Sequence, residues 1–178
     1  MKPFFTFIVA AFFCAQSFSQ EYVIKFKPVP AKDIIEQIEK YVGKDVETEG
    51  KIVHVCGVNK KKMKLSVENG GSINIIPEDP NMEFDYNFNQ KEVKIIGVVK
   101  EIRIPKERVL EMEKNLDIPC SIDKEPCIDD TYIENKRNNG TLAETSQKCI
   151  SAMKVTMEQT QKDYISIVTI VAKSVELK

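Results

Sequence analysis

The chain has 178 residues, with 26 basic side chains against 27 acidic ones and a single histidine. That balance argues against a nucleic-acid binder working by phosphate neutralisation, which would carry a basic surplus. The length suits one domain with one core.

Residues 1–20, "MKPFFTFIVAAFFCAQSFSQ", read as a secretory signal: one lysine, an apolar run from Phe4 to Ala15, then Ser17 and Ser19 spaced for signal peptidase. The run is shorter than the roughly 20 apolar residues a membrane span needs, and no later segment approaches that length. A soluble periplasmic or secreted protein without a membrane span is therefore expected, and a monomer. A lipid anchor on Cys14 is the rival reading, but Phe13 stands where such anchors have a small residue. Cleavage leaves 21–178 as a single domain with Cys56, Cys120, Cys127 and Cys149. Four cysteines in an oxidising compartment permit two disulfides in any of three pairings.

The stretch "PVPAKDIIEQIEKYVGK" spaces Ile34, Ile35, Ile38, Tyr41 and Val42 as one face of a helix that stops at Gly43. Residues 45–56, "DVETEGKIVHVC", are a strand bent at Gly50. "MKLSV" and "SINIIP" are the second and third strands, the latter introduced by Gly70-Gly71. Residues 78–92 are acidic and aromatic, with Phe84, Tyr86 and Phe88 alternating, and suit a loop that caps the core. "EVKIIGVVKEIRI" is a long fourth strand in which Gly97 suits a bulge or a sharp coil. Pro105 opens the helix "PKERVLEMEKNL".

Residues 117–140 mix Pro, Asp, Asn and Gly without a period and read as loop. Thr141 and Glu144 form a T-x-x-E capping box for a helix with the stripe Leu142, Thr145, Cys149, Met153 and Met157. "DYISIVTIVAKSVELK" is the last strand. Five short strands with glycines inside them suit a closed barrel, because closure removes sheet edges and tight coiling needs residues without Cβ. The expected fold class is mainly β with added helices: a five-stranded OB-fold Greek-key barrel with an N-terminal helix. A helical insertion at about 105–162 separates strands four and five.

With Gly57 to Lys62 as the hairpin loop, Cys56 falls opposite Met63 and His54 opposite Leu65, on the face expected to point into the barrel. His54, Cys56, Met63 and Cys149 could then gather a soft metal such as copper in its Cu(I) form, which prefers thiolate and thioether ligands. The plainer alternative is a Cys56–Cys149 disulfide, or two buried thiols, with Met63 filling space. Cys120 and Cys127 bound the loop "CSIDKEPC" and suit a disulfide that closes a short ring. Lys60, Lys61 and Lys62 are the basic cluster of the loop beside which OB-folds bind oligonucleotides or oligosaccharides. Phe84, Tyr86 or Phe88 would serve as stacking surfaces there, though a lysine-rich hairpin is also a common solvated edge. The sequence holds no H-E-x-x-H, P-loop, G-x-S-x-G or C-x-x-C motif. His54 and Cys56 are too far apart along one strand for direct proton transfer.

The segments "VHVC", "KIIGVVKEIRIPKERVLEMEK" and "KDYISIVTIVAKSVELK" resemble an uncharacterised family of exported bacterial OB-fold proteins. In that family's pattern a second cysteine stands at the position of Met63, and a His-Cys pair at those of Lys148 and Cys149. The resemblance implies a thiol or metal site of which this chain keeps Cys56 and Cys149. The expected function is non-enzymatic binding or scaffolding in the cell envelope, without a catalytic residue or a resident cofactor. The partner would be a small ligand or an envelope protein. The alternative is soft-metal or thiol-redox handling by Cys56 and Cys149.

Overall fold

A computed structural model describes residues 27–178. The expected signal sequence, its expected cleavage site and Cys14 lie outside the described residues. Two short helices, α1 (Ala31–Glu36) and α2 (Ile38–Tyr41), precede the strands β1 (Asp45–Val55), β2 (Met63–Ser66), β3 (Ser72–Pro77) and β4 (Glu92–Pro105). Three helices follow, α3 (Lys106–Asn115), α4 (Asp130–Asn138) and α5 (Leu142–Thr160), before the last strand, β5 (Tyr164–Leu177).

The strands close in the order β1-β2-β3-β5-β4, with β3 and β5 parallel and every other pairing antiparallel. This is an OB-fold-like barrel with a helical insertion between β4 and β5. The helix that OB-folds usually carry between their third and fourth strands is replaced by a loop. Its Phe84 is fully buried in the barrel core, and its backbone N–H donates to the Lys60 carbonyl at 2.8 Å.

Alternation along each strand fills the barrel with Ile52, Val55, Met63, Leu65, Ile73, Ile75, Val93, Ile95 and Ile170. β4 and β5 pair from Val93↔Leu177 to Pro105↔Tyr164, longer than closure requires. The overshooting end forms a second core in which Ile104, Ile165 and Ile167 meet Val109 and Met112 of α3 and Ile150, Met153 and Met157 of α5. The inward stripe of α5 is thus Ser146, Ile150, Met153 and Met157: Met153 and Met157 follow the expected line, Ser146 and Ile150 replace Thr145 and Cys149 one position on, and Cys149 is left half-buried at its edge. The expected capping box does not form. Thr141 occupies the N-cap position without a side-chain cap bond and turns its hydroxyl to the Lys136 carbonyl.

The register does shift at Gly97, but the bulge lies in the partner strand: Ile96 pairs with Ser174 and Gly97 with Ala172, leaving Lys173 of β5 as the extra residue. A Cβ at Gly97 would lie 2.8 Å from Ile170 Cγ2 and 2.9 Å from Ala172 Cα, so only glycine lets β5 come this close. A second bulge, in β1, was not expected. Ile52 pairs with Leu65 but His54 pairs with Lys64, leaving Val53 as the extra residue. Asn74 and Thr169 point out of the barrel, opposite in facing from their buried neighbours, and yet are buried themselves. Asn74 Nδ2 donates to Thr169 Oγ1 at 3.4 Å, while its Oδ1 has no protein partner.

Replacing Gly97 by alanine should cost about 3 kcal/mol of stability by overpacking. Gly57→Ala, where nothing lies within 4 Å of the added carbon, should stay within about 0.5 kcal/mol. Urea unfolding of both variants measures the difference.

Candidate functional site

The Val53 bulge reverses the facing of everything after it in β1, because strand side chains alternate and one extra residue shifts the phase. Val55 therefore turns inward opposite Met63, and His54 turns outward opposite Lys64. The expected inward cluster is overturned: Met63 is fully buried in the barrel core, whereas His54 is exposed. The physical reason is that Ile52, Val55 and Met63 bury more apolar surface than an imidazole facing inward would.

His54 and Cys56 meet the other cysteines outside the barrel. A cleft of about 390 Å³ is lined by His54 and Cys56 at the end of β1, by Cys120 and Cys127 of the insertion, and by Cys149 of α5. All four cysteines of the described residues are free thiols. The expected Cys120–Cys127 disulfide is absent from the structure, for a reason seen in the backbone. The segments around them run antiparallel through a Pro119↔Pro126 bridge, with Cys120 N–H donating to the Glu125 carbonyl and Cys127 N–H to the Ile118 carbonyl. Cys120 and Cys127 are thus diagonal neighbours two positions out of register, and diagonal pairs stand farther apart than a disulfide reaches.

Two similar turns form the two sides of the cleft. The Lys60 N–H closes on the Cys56 carbonyl, and the Lys124 N–H on the Cys120 carbonyl, both at 3.1 Å. Lys60 and Lys124 both adopt left-handed backbone, with φ of 51° and 63°. The turns are clamped together by an ion pair between Lys62 and Asp123, in which both side chains are largely buried. Burial alone would lower the Lys62 pKa, but the hydrogen bond and charge of Asp123 outweigh it and hold the ammonium above the ordinary lysine range. Lys124 shows the opposite balance: burial, then repulsion from Lys64, pulls it below that range. Burial likewise pushes the Cys120 thiol up, although the Ile122 N–H points at its sulfur at 3.5 Å.

The basic loop is spent internally. Lys60 pairs with Glu83 at 3.7 Å, Lys61 Nζ donates to the Met82 carbonyl at 2.7 Å, and Lys62 holds Asp123. Of the three, Lys62 alone lines the cleft. Phe84 is withdrawn into the core and Phe88 packs against it, so of the aromatic trio Tyr86 is the one left exposed.

Sequence reading also missed α4, which places Tyr132 on the cleft wall. A signal for it exists: Asp129 caps the helix by accepting from the Tyr132 N–H at 2.9 Å, Lys136 and Arg137 sit in its last turn, and Gly140 follows. The remaining wall is apolar, built from Val58, Ile118 and Ile128. No three His, Cys, Asp or Glu side chains are grouped to enclose a cation among the described residues. No helix among them is long and apolar enough to cross a membrane. Neither a protein-family model nor a curated protein sequence matches this chain.

Lys62→Met should leave the carboxylate of Asp123 buried without its partner and cost about 2 kcal/mol, whereas Lys60→Met, at an exposed pair, should cost less than about 0.5 kcal/mol. Because the Lys62 pKa is raised on folding, the contribution of the clamp is fully present below the ordinary lysine value of about 10.4. It is lost as pH rises through the higher folded value. Unfolding midpoints of the wild type and Lys62→Met, measured from pH 8 upward, should converge at the alkaline end.

Proposed function

We propose that this is an exported, non-enzymatic binding or scaffold protein of the cell envelope, resembling the exported OB-fold family, and that the cleft beside Cys56 is where it binds. The observation that carries this reading is the position of the cleft. OB-folds bind through the loop between their first two strands, the loop between their last two, and the face of strands two and three. Here the first of those loops supplies Cys56, Val58 and Lys62, and the second has grown into the insertion that supplies the opposite wall.

The cleft is apolar in its wall and carries few charges, among them Lys62 and Asp129. Ligand pockets characteristically combine an apolar lining with a few placed polar groups, and the volume falls within their usual size. A small, largely apolar ligand fits that chemistry better than a polyanion, because the loop lysines already have acidic or carbonyl partners.

A second reading, soft-metal or thiol-redox handling by Cys56 and Cys149, is favoured by one specific observation. Both thiols line the same cleft, together with Cys120 and Cys127. Met63 has no part in it, being buried inside the barrel. Copper held there as Cu(I) would have to take its ligands from the thiols, which it prefers.

A set of small aromatic and aliphatic fragments titrated into the isotope-labelled protein tests the first reading. Amide shifts should centre on Gly57, Val58, Ser121 and Ile128, and should disappear in Val58→Trp, whose added bulk fills the cleft. Shifts centred instead on the groove between α1 and β1, at Ala31 and Lys51, would place binding elsewhere and overturn it. Uptake of Cu(I) by the reduced protein in competition with a chelator, lost in Cys56→Ser, would support the second reading.

A further inference from the structure

We propose that the cleft thiols are two defined disulfide-forming pairs, Cys56 with Cys120 and Cys127 with Cys149, which bolt the insertion to the barrel on one side and to α5 on the other. The backbone places each pair. Cys56 N–H donates to the Lys62 carbonyl at 2.9 Å, and the side chain of that same lysine holds Asp123, three residues beyond Cys120 in a turn that the Cys120 carbonyl closes. Cys56 and Cys120 therefore stand on either side of one clamp.

The other two flank one short stretch of chain. Cys127 N–H donates to the Ile118 carbonyl at 2.8 Å, and Ser146 Oγ donates to the neighbouring Asp117 carbonyl at 2.7 Å. Cys149 lies one helical turn beyond Ser146, on the same side of α5. The local alternative, Cys120 with Cys127, is disfavoured by their diagonal offset across the Pro119↔Pro126 bridge.

The chemistry is thiol–disulfide exchange with a low-molecular-weight disulfide such as oxidised glutathione. One cysteine, as thiolate, attacks the oxidant and forms a mixed disulfide, releasing one glutathione thiolate. Its partner then displaces the second. Two protein sulfurs are oxidised by two electrons, the oxidant is reduced to two thiols, and those thiols carry away the two protons. The structure is the reduced form, with four free thiols.

This pairing goes beyond the binding reading, and its test needs no ligand: sulfur connectivity is read whether or not the cleft takes one. The reduced chain is equilibrated with a glutathione redox buffer, residual thiols are alkylated, and the digest is mapped by mass spectrometry without reduction. The expected result is two linked peptide pairs, Cys56–Cys120 and Cys127–Cys149, and a melting temperature raised by roughly 10 °C that a dithiol reductant reverses. In Cys56→Ser the Cys127–Cys149 link should persist while Cys120 becomes alkylatable. Cys127→Ser should do the converse, so that a folding failure of one variant leaves the other to decide. Recovery of Cys120–Cys127 with Cys56–Cys149, of Cys56–Cys127 with Cys120–Cys149, or of four alkylated thiols after oxidation would overturn the proposal.

Discussion

The pairing of β4 with β5 is the constraint on which the rest of this molecule hangs. Both strands run 14 residues, and the ladder continues from Val93↔Leu177 to Pro105↔Tyr164 without a break in partnering beyond the bulge at Lys173. Half of that ribbon closes the barrel. The other half would leave Ile102, Ile104, Ile165 and Ile167 in water, and α3 and α5 exist to cover them. Because the ends of the insertion are pinned at adjacent positions of one ribbon, the residues between α3 and α5 have a restricted reach. They fold back over the mouth of the barrel, where Asp123 finds Lys62.

How much of this could be read from residues alone follows from the range of each interaction. Alternation in "SINIIP" and "EVKIIGVVKEIRI" marks strands because it reports which side chains face the barrel interior, and Gly97 marks the close approach of β5 because a Cβ there has no room. The Val53 bulge has no such mark. Valine suits a strand in either facing, so the reversal that sends His54 outward is decided by how Ile52, Val55 and Met63 pack against the far side of the barrel. The T-x-x-E pattern at Thr141 misled for the opposite reason: it is a local rule, and at this helix start the hydroxyl finds the Lys136 carbonyl instead. The composition of residues 117–140 does mark a surface excursion, and it hides a nine-residue helix, α4, whose apolar content is too low to show a period.

The cysteines illustrate the same division. Spacing alone links Cys120 to Cys127, since they are neighbours in sequence, and shared strand position links Cys56 to Met63. Tertiary structure regroups them. The register of the Pro119↔Pro126 bridge separates the first pair, and the bulge separates the second. What gathers Cys56, Cys120, Cys127 and Cys149 into one cleft is the return of the insertion, a long-range event that no window of a few residues contains.

The buried outward-facing pair Asn74 and Thr169 sits on the wall through which barrels of this kind ordinarily meet their ligands. Lys124 of the insertion lies near enough to Lys64, the residue paired with Asn74 across β2 and β3, to be repelled by it. The insertion thus reaches back toward the outer side of β2, where a chain tethered at both ends holds Lys124 close to a like charge. Bringing the two ammonium groups together is a cost of that return: it favours the uncharged form of Lys124 and is relieved by any change that removes the charge of Lys64.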